Sequence, residues 1–192
     1  MALCFATNNL HKLEEVRALL PEGYPLLSLQ DIGGNVDLPE TQNTLEGNAH
    51  QKANYVREHF GVDCFADDTG LEVEALYGAP GVYSARYAGP GKSDQANCAK
   101  LLQELKGKED RQARFRTVIC LIKEKEIYYF EGIISGVIIQ QPIGTLGFGY
   151  DSVFQPIGET RTFAQMSTQQ KNRMSHRGEA IRKLVLFLGT EV

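Results

Sequence analysis

Phe65-Ala66-Asp67-Asp68-Thr69-Gly70 sets two adjacent carboxylates, a hydroxyl and a glycine after an apolar run, Val62 to Ala66, that only Asp63 interrupts. This reads as a strand ending in acid, and side chains alternate along a strand, so Asp67 and Asp68 are expected on opposite faces. Paired acids at the C-terminal edge of an α/β sheet suit a divalent cation or a general base. Asp and Gly also suit a plain acidic turn. Lys52 lies three residues after Ala49 and four before Val56, on the edge of a helical apolar stripe. A lysine there either snorkels to solvent or reaches an anion site with a counter-charge. Thr7-Asn8-Asn9-Leu10-His11-Lys12 puts a hydroxyl, two amides and a lysine where a strand gives way to a helix. These residues are ordinary helix caps or a phosphate cradle, although the glycines of a P-loop are missing.

Lys171-Asn172-Arg173-Met174-Ser175-His176-Arg177-Gly178 gathers three bases and a histidine at the start of the last helix. With Ser175 as N-cap, His176 and Arg177 fall in the first turn, where cations oppose the helix dipole. An anionic or carbonyl-rich partner would relieve that conflict; the alternative is a solvated basic patch. Gly147-Phe148-Gly149-Tyr150-Asp151 holds an aromatic between two glycines, a turn or a loop able to stack on a nucleobase. Phosphate-binding lysines, a stacking loop and a carboxylate pair together suit a nucleoside polyphosphate.

The elements that must position these groups follow from periodicity. Ala2 to Ala6 reads as a strand, His11 to Leu20 as a helix stopped by Pro21, and Pro25 to Leu29 as a second strand. A polar loop, Asp31 to Asn43, carries Asp37-Leu38-Pro39-Glu40 and precedes a long helix, Thr44 to Phe60. Gly78-Ala79-Pro80-Gly81 is a tight turn, and Ser93 caps a helix to Leu105 through Cys98, Leu101 and Leu102. Phe115 to Ile122 and Ile127 to Ile139 form a long antiparallel hairpin, with Gly132, Ser135 and Gly136 marking a bulge or a crossing point. A short strand at Val153-Phe154, a polar stretch and a helix from Ser175 to Leu188 complete the chain. The expected fold is a mixed-sheet α/β domain in two lobes with a cleft between them.

A chain of 192 residues with 42% hydrophobic and 23% charged residues suits one globular domain. A net charge of −4 argues against a nucleic-acid polymer as partner. Cys4, Cys64, Cys98 and Cys120 lie far apart in apolar surroundings and read as buried free thiols of a reducing compartment. No run approaches ~18 consecutive apolar residues, and the start lacks a basic stretch before an apolar one. A cytoplasmic protein without a membrane partner is expected.

The order of motifs is specific. Thr-Asn-Asn-x-x-Lys, Leu-Pro-Glu, Asn-Ala-x-x-Lys-Ala, Ala-Asp-Asp-Thr-Gly-Leu, Gly-Ala-Pro-Gly-Val-Tyr-Ser-Ala-Arg-Tyr, Gly-Phe-Gly-Tyr-Asp and Lys-Asn-x-x-Ser-His-Arg-Gly follow one another over nearly the whole chain. This resembles the inosine/xanthosine triphosphate pyrophosphatase family. The resemblance implies a single two-lobed domain over residues 1–192, a homodimer, and magnesium-dependent hydrolysis of ITP, dITP and XTP to monophosphate and pyrophosphate.

It further implies that Thr7, Asn8, Asn9, Leu10, His11, Lys12, Lys52 and Lys171 contact the triphosphate, with Thr69 touching substrate and Arg86 near the phosphates. Glu40 and Asp68 would hold magnesium, and Asp68 would accept the proton of the attacking water. Phe148, Gly149, Tyr150 and Asp151, with His176 and Arg177, would surround the base. Two positions depart from the pattern. Gly47 stands where a Glu is common, with Glu46 one place early, and Asn8 stands where a glycine is frequent. A Maf-type pyrophosphatase and a nucleotide sensor without turnover are the alternatives; Ser-His-Arg and Phe-Gly-Tyr-Asp speak against the first, and Glu40, Lys52 and Asp68 against the second.

Overall fold

The structure, a computed structural model, describes residues 2–21 and 24–189. Among them lie seven strands and five α-helices. In chain order they are β1 (Leu3–Phe5), α1 (Leu10–Arg17), β2 (Leu26–Leu27), α2 (Leu45–Phe60), β3 (Cys64–Val73), β4 (Pro80–Gly81), α3 (Asp94–Glu104), β5 (Gln112–Lys123), β6 (Glu126–Ile138), β7 (Phe154–Pro156), α4 (Thr168–Met174) and α5 (His176–Gly189). They form a mixed α/β fold with sheet order β2-β1-β3-β5-β6-β7, and β4 pairs with β3. Strand β1 runs parallel to both β2 and β3; β4 and β7 run antiparallel to β3 and β6. No helix among the described residues is long and apolar enough to cross a membrane.

The chain divides into two compact units. The first comprises Met1–Asp68, Thr117–Gly132 and Arg177–Val192, the second Thr69–Arg116 and Ile133–His176. In the first, strand alternation sorts the core into two layers. Leu3, Phe5, Phe65, Ile119 and Leu121 pack against Leu13 and Val16 of α1 and Ala180, Ile181 and Leu184 of α5. Their strand neighbours Cys4, Ala6, Cys64, Ala66, Cys120 and Ile122 pack against Ala49, Ala53 and Val56 of α2. Helix α2 begins at Thr44, whose side chain accepts the Gly47 N–H, and ends at Gly61 with φ 70. The four cysteines are free and buried, and burial pushes the Cys64 and Cys120 thiols up to about 12.

In the second unit, Cys98, Leu101 and Leu105 of α3 pack with Leu71, Val73, Phe115, Tyr150, Phe154 and Phe163. Gly136 marks a close approach: a methyl group there would stand 2.5 Å from Gln155 O and from the Phe154 ring. The charged turn between β5 and β6 is two residues, Glu124 and Lys125, at φ 51 and 79, which is how antiparallel neighbours join tightly.

Three expectations change. The acids do not end a strand. β3 continues through Asp67 and Asp68 to Val73, because Leu71 and Val73 have a core to fill and cations answer both charges. Helix α1 stops at Arg17, where the Ala18 N–H reaches Glu14 O and Val16 O and tightens the last turn; Leu19 and Leu20 still pack on the core beyond it. The polar stretch before the last helix contains α4, opened by a capping box in which Ser167 and Gln170 each take the other's backbone N–H.

Candidate active site

The same alternation decides where the paired acids go. Asp67 shares the parity of Phe65 and faces α1 and α5; Asp68 shares that of Ala66 and faces α2. Asp67 accepts Lys12 Nζ at 2.9 Å and Arg177 Nε at 3.1 Å. Asp68 lies 3.6 Å from Lys52 Nζ and accepts Asn48 Nδ2 at 3.0 Å.

Lys52 is only 5% exposed, and its counter-charges are Glu40 Oε1 at 2.5 Å and Asp68 Oδ1. The ammonium thus reaches an anionic site rather than solvent. Glu40 comes from the loop before α2, which α2 holds down: Gln51 bonds Thr41 through both its amide atoms, and Asn48 Oδ1 accepts the Gln42 N–H. Gly47 has a local reason as well, since a Cβ there would come 2.8 Å from Gln42 Cβ. The loop carrying Glu40 occupies the space a Glu side chain at that position would need.

Charges in this cluster shift one another. Burial raises the Asp67 carboxyl, but Lys12, Arg177 and Lys52 outweigh it and hold Asp67 well below the usual carboxylate range. Burial lifts Asp68 above its ordinary value, Glu40 adding to the lift and Lys52 and Lys12 opposing it. Burial would lower Lys52, yet Asp68, Glu40 and Asp67 raise it; Lys12 is lowered by burial, Lys52 and Arg177 adding to this against Asp67. Neighbouring carboxyls are therefore driven apart, one fixed as an anion and the other a stronger proton acceptor.

Arg177 is 2% exposed and is held by Glu15 through Nη1 and by Asp67 through Nε. The anion that offsets this cation in the first turn of α5 is the protein's own. Among the residues of the first motif, Asn9 caps α1 by accepting the Lys12 N–H, the Asn9 N–H donates to Thr7 Oγ1, and Asn8 Nδ2 donates to Val36 O. Leu10 and His11 lie exposed on α1, His11 beside Glu14 at 3.9 Å.

In the second unit the Phe148–Asp151 loop and Lys171 form one group. Lys171 Nζ donates to Asp151 Oδ2 at 2.6 Å and stands 4.7 Å from the centre of the Phe148 ring, so this lysine lies with the aromatic loop. Tyr150 is buried, its hydroxyl donating to Ser84 O. His176 stacks on Phe115 at 4.6 Å. Arg86 closes a turn, Ser84–Arg86, with its guanidinium 5.3 Å from the centre of the Tyr83 ring. Asn97 of α3 holds that turn and the chain just after it, donating to Ala85 O and accepting the Ala88 N–H. Thr69 follows Asp68 in β3 and is half-buried.

Asn48 and Glu15 were not singled out by their types, yet a spacing signal marks both. Asn48 lies four residues before the buried Lys52 and Glu15 three after the half-buried Lys12, so each shares a helix face with a lysine of the cluster. Asn48 orients Asp68 and anchors the Glu40 loop together. Asn48→Ala is expected to lower kcat by about 10–100-fold, the usual effect of losing a partner that orients a ligand or base. Steady-state assays beside a thermal melt check this; an unchanged kcat would sink it.

The Ham1 family profile matches residues 3–187. A curated relative, the dITP/XTP pyrophosphatase of Flavobacterium psychrophilum, is 54% identical over 187 residues, covering 97% of this chain and 98% of its own. Another of the same name, from Christiangramia forsetii, is 53% identical over 98% and 99% of the two chains. The solved Staphylococcus aureus Ham1 protein superposes with a TM-score of 0.90 at 39% identity, covering both chains completely.

Proposed function

The chain belongs to the Ham1 family, and from that premise we propose that it hydrolyses the deaminated purine nucleotides dITP, XTP and ITP to monophosphate and pyrophosphate. It is a nucleoside triphosphate pyrophosphatase, an enzyme of nucleotide metabolism. One observation carries the chemical reading: Lys52 Nζ between Glu40 Oε1 and Asp68 Oδ1, at 2.5 and 3.6 Å. Two carboxylates from separate segments converge on one cationic point.

That donor set fits magnesium. Hard carboxylate oxygens from two residues, the remaining positions left to water and phosphate, are its ordinary ligands. Glu40 and Asp68 would hold the ion, and when bound it offsets phosphate charge that would otherwise repel a nucleophile.

Asp68, lifted by burial, accepts the proton of a water attacking the α-phosphorus. Lys12, Lys52 and the backbone at the start of α1 take the charge of the phosphates and of the departing pyrophosphate. Thr7, Asn8, Asn9, Leu10 and His11 shape that start, Thr69 touches substrate beside Asp68, and Arg86 meets phosphate charge. Phe148 stacks on the base, with Gly149, Tyr150 and Asp151 forming the rest of its loop. Lys171 meets phosphate charge, and His176 and Arg177 surround the base. An acceptor oxygen at C6 suits a cationic donor, whereas the amino group of adenine sets donor against donor. Residues 1–192 act as one domain in a homodimer, and the buried reduced thiols suit the cytoplasm.

Pyrophosphate release from ITP, XTP, GTP and ATP, measured side by side with magnesium, tests the reading. ITP and XTP are expected to be turned over far faster than ATP. Equal turnover of ITP and ATP, or release of single phosphates, would refute it.

A further inference from the structure

The Phe148–Asp151 loop is tied down from two directions within the second unit. Its own Asp151 Oδ2 accepts the Phe148 N–H at 3.0 Å, and Gly147, at φ 76, leaves that carboxylate the space a Cβ would take. The next amide turns the other way: Gly149 N–H donates to Asp94 Oδ2 at 2.6 Å. The carbonyl of Gly149 accepts the Cys98 thiol at 3.4 Å. Asp94 and Cys98 lie four residues apart on α3, so one helical face holds both polar backbone atoms of Gly149. Asp94 is the first residue of α3, an acidic side chain in the first turn, and its Oδ2 meets the Gly149 N–H at short range. Gly149 itself sits at φ 61. A glycine has no Cβ to restrict its backbone, so its conformation depends on what grips it from outside.

We propose that Asp94 is a positioning residue for purine recognition: by fixing the Gly149 amide it sets the plane of the Phe148 ring beside Lys171. The inference rests on the reading that this loop receives the base. Asp94 acts through Gly149 and takes no part in proton transfer or in holding phosphate. A ring held in the wrong plane loses stacking shared by bound substrate and transition state, which raises KM and spares kcat.

Asp94→Ala, Asp94→Asn and Phe148→Ala, assayed in parallel on ITP and XTP, decide it. Asp94→Ala is expected to raise KM for both about five- to tenfold with kcat within about twofold of the parent. Asp94→Asn keeps a carbonyl oxygen that accepts the amide and is expected to recover most of the loss. Phe148→Ala is expected to raise KM at least as much as Asp94→Ala. If Phe148→Ala raises KM and Asp94→Ala does not, the positioning role is overturned while base recognition by the loop stands. If neither variant moves KM, base recognition by this loop fails and the inference fails with it. A fall in kcat and melting temperature together, without rescue by Asn, would make Asp94 a support of α3 alone and overturn the proposal.

Discussion

Asp68→Asn is expected to keep the fold and to lose ITP hydrolysis by about a thousandfold in kcat, the middle of the range for removing a general base. The substitution preserves volume, and Asn48 Nδ2, now 3.0 Å from Oδ2, can donate to the carbonyl oxygen of the new amide. Lys52 retains Glu40 at 2.5 Å, so no buried ammonium is stranded. What disappears is a proton acceptor and one of the two carboxylates that converge on the cationic point. The measurement is steady-state pyrophosphate release beside circular dichroism and a thermal melt. Activity within tenfold of the parent, with the fold intact, would strip Asp68 of both roles.

Arg177→Ala is expected to act first on stability. The guanidinium is buried between Glu15 and Asp67, and breaking a buried pair by removing one partner costs about 3–5 kcal/mol. For a chain of this size that corresponds to a fall in melting temperature of roughly 10 °C. Arg177→Lys keeps the charge, but an ammonium lacks the fixed fork that bonds two carboxylates at once, so an intermediate loss is expected. Base selectivity in the Ala variant is therefore best compared between ITP and ATP well below its melting point. A melt within about 2 °C of the parent would show that Glu15 and Asp67 do not depend on Arg177.

Much of this was legible from residue types and spacing. The apolar stripe of α2 located Lys52, and the requirement for a counter-charge anticipated an anionic partner. The long hairpin followed from two β-rich runs around a charged turn. Other features depended on partners far away in sequence. Arg177 reads as a cation in a helix's first turn; its carboxylates come from positions 162 and 110 residues distant. The continuation of β3 was hidden because two adjacent acids look like a strand's end until Lys12, Lys52 and Arg177 neutralise them. Helix α4 has no apolar stripe to detect, since its buried residues are Lys171 and Asn172, and only its Ser-x-x-Gln start gave a signal. Asp94 looks like any acidic residue at a helix start, with its amide partner 55 residues on.

Because consecutive residues of β3 serve opposite layers, the chemistry of this enzyme is locked to a reading frame of packing. Deleting one residue between Cys64 and Ala66 would turn the remaining strand over, presenting Asp68 to α1 and α5 and Asp67 to α2. The residue lost is Phe65 itself, so the same slip would put the small Ala66 into the bulky layer that Phe65 fills. Misplaced acids would thus arrive only in a protein whose interior no longer closes, so errors of register in this strand are removed by folding before they can reach catalysis.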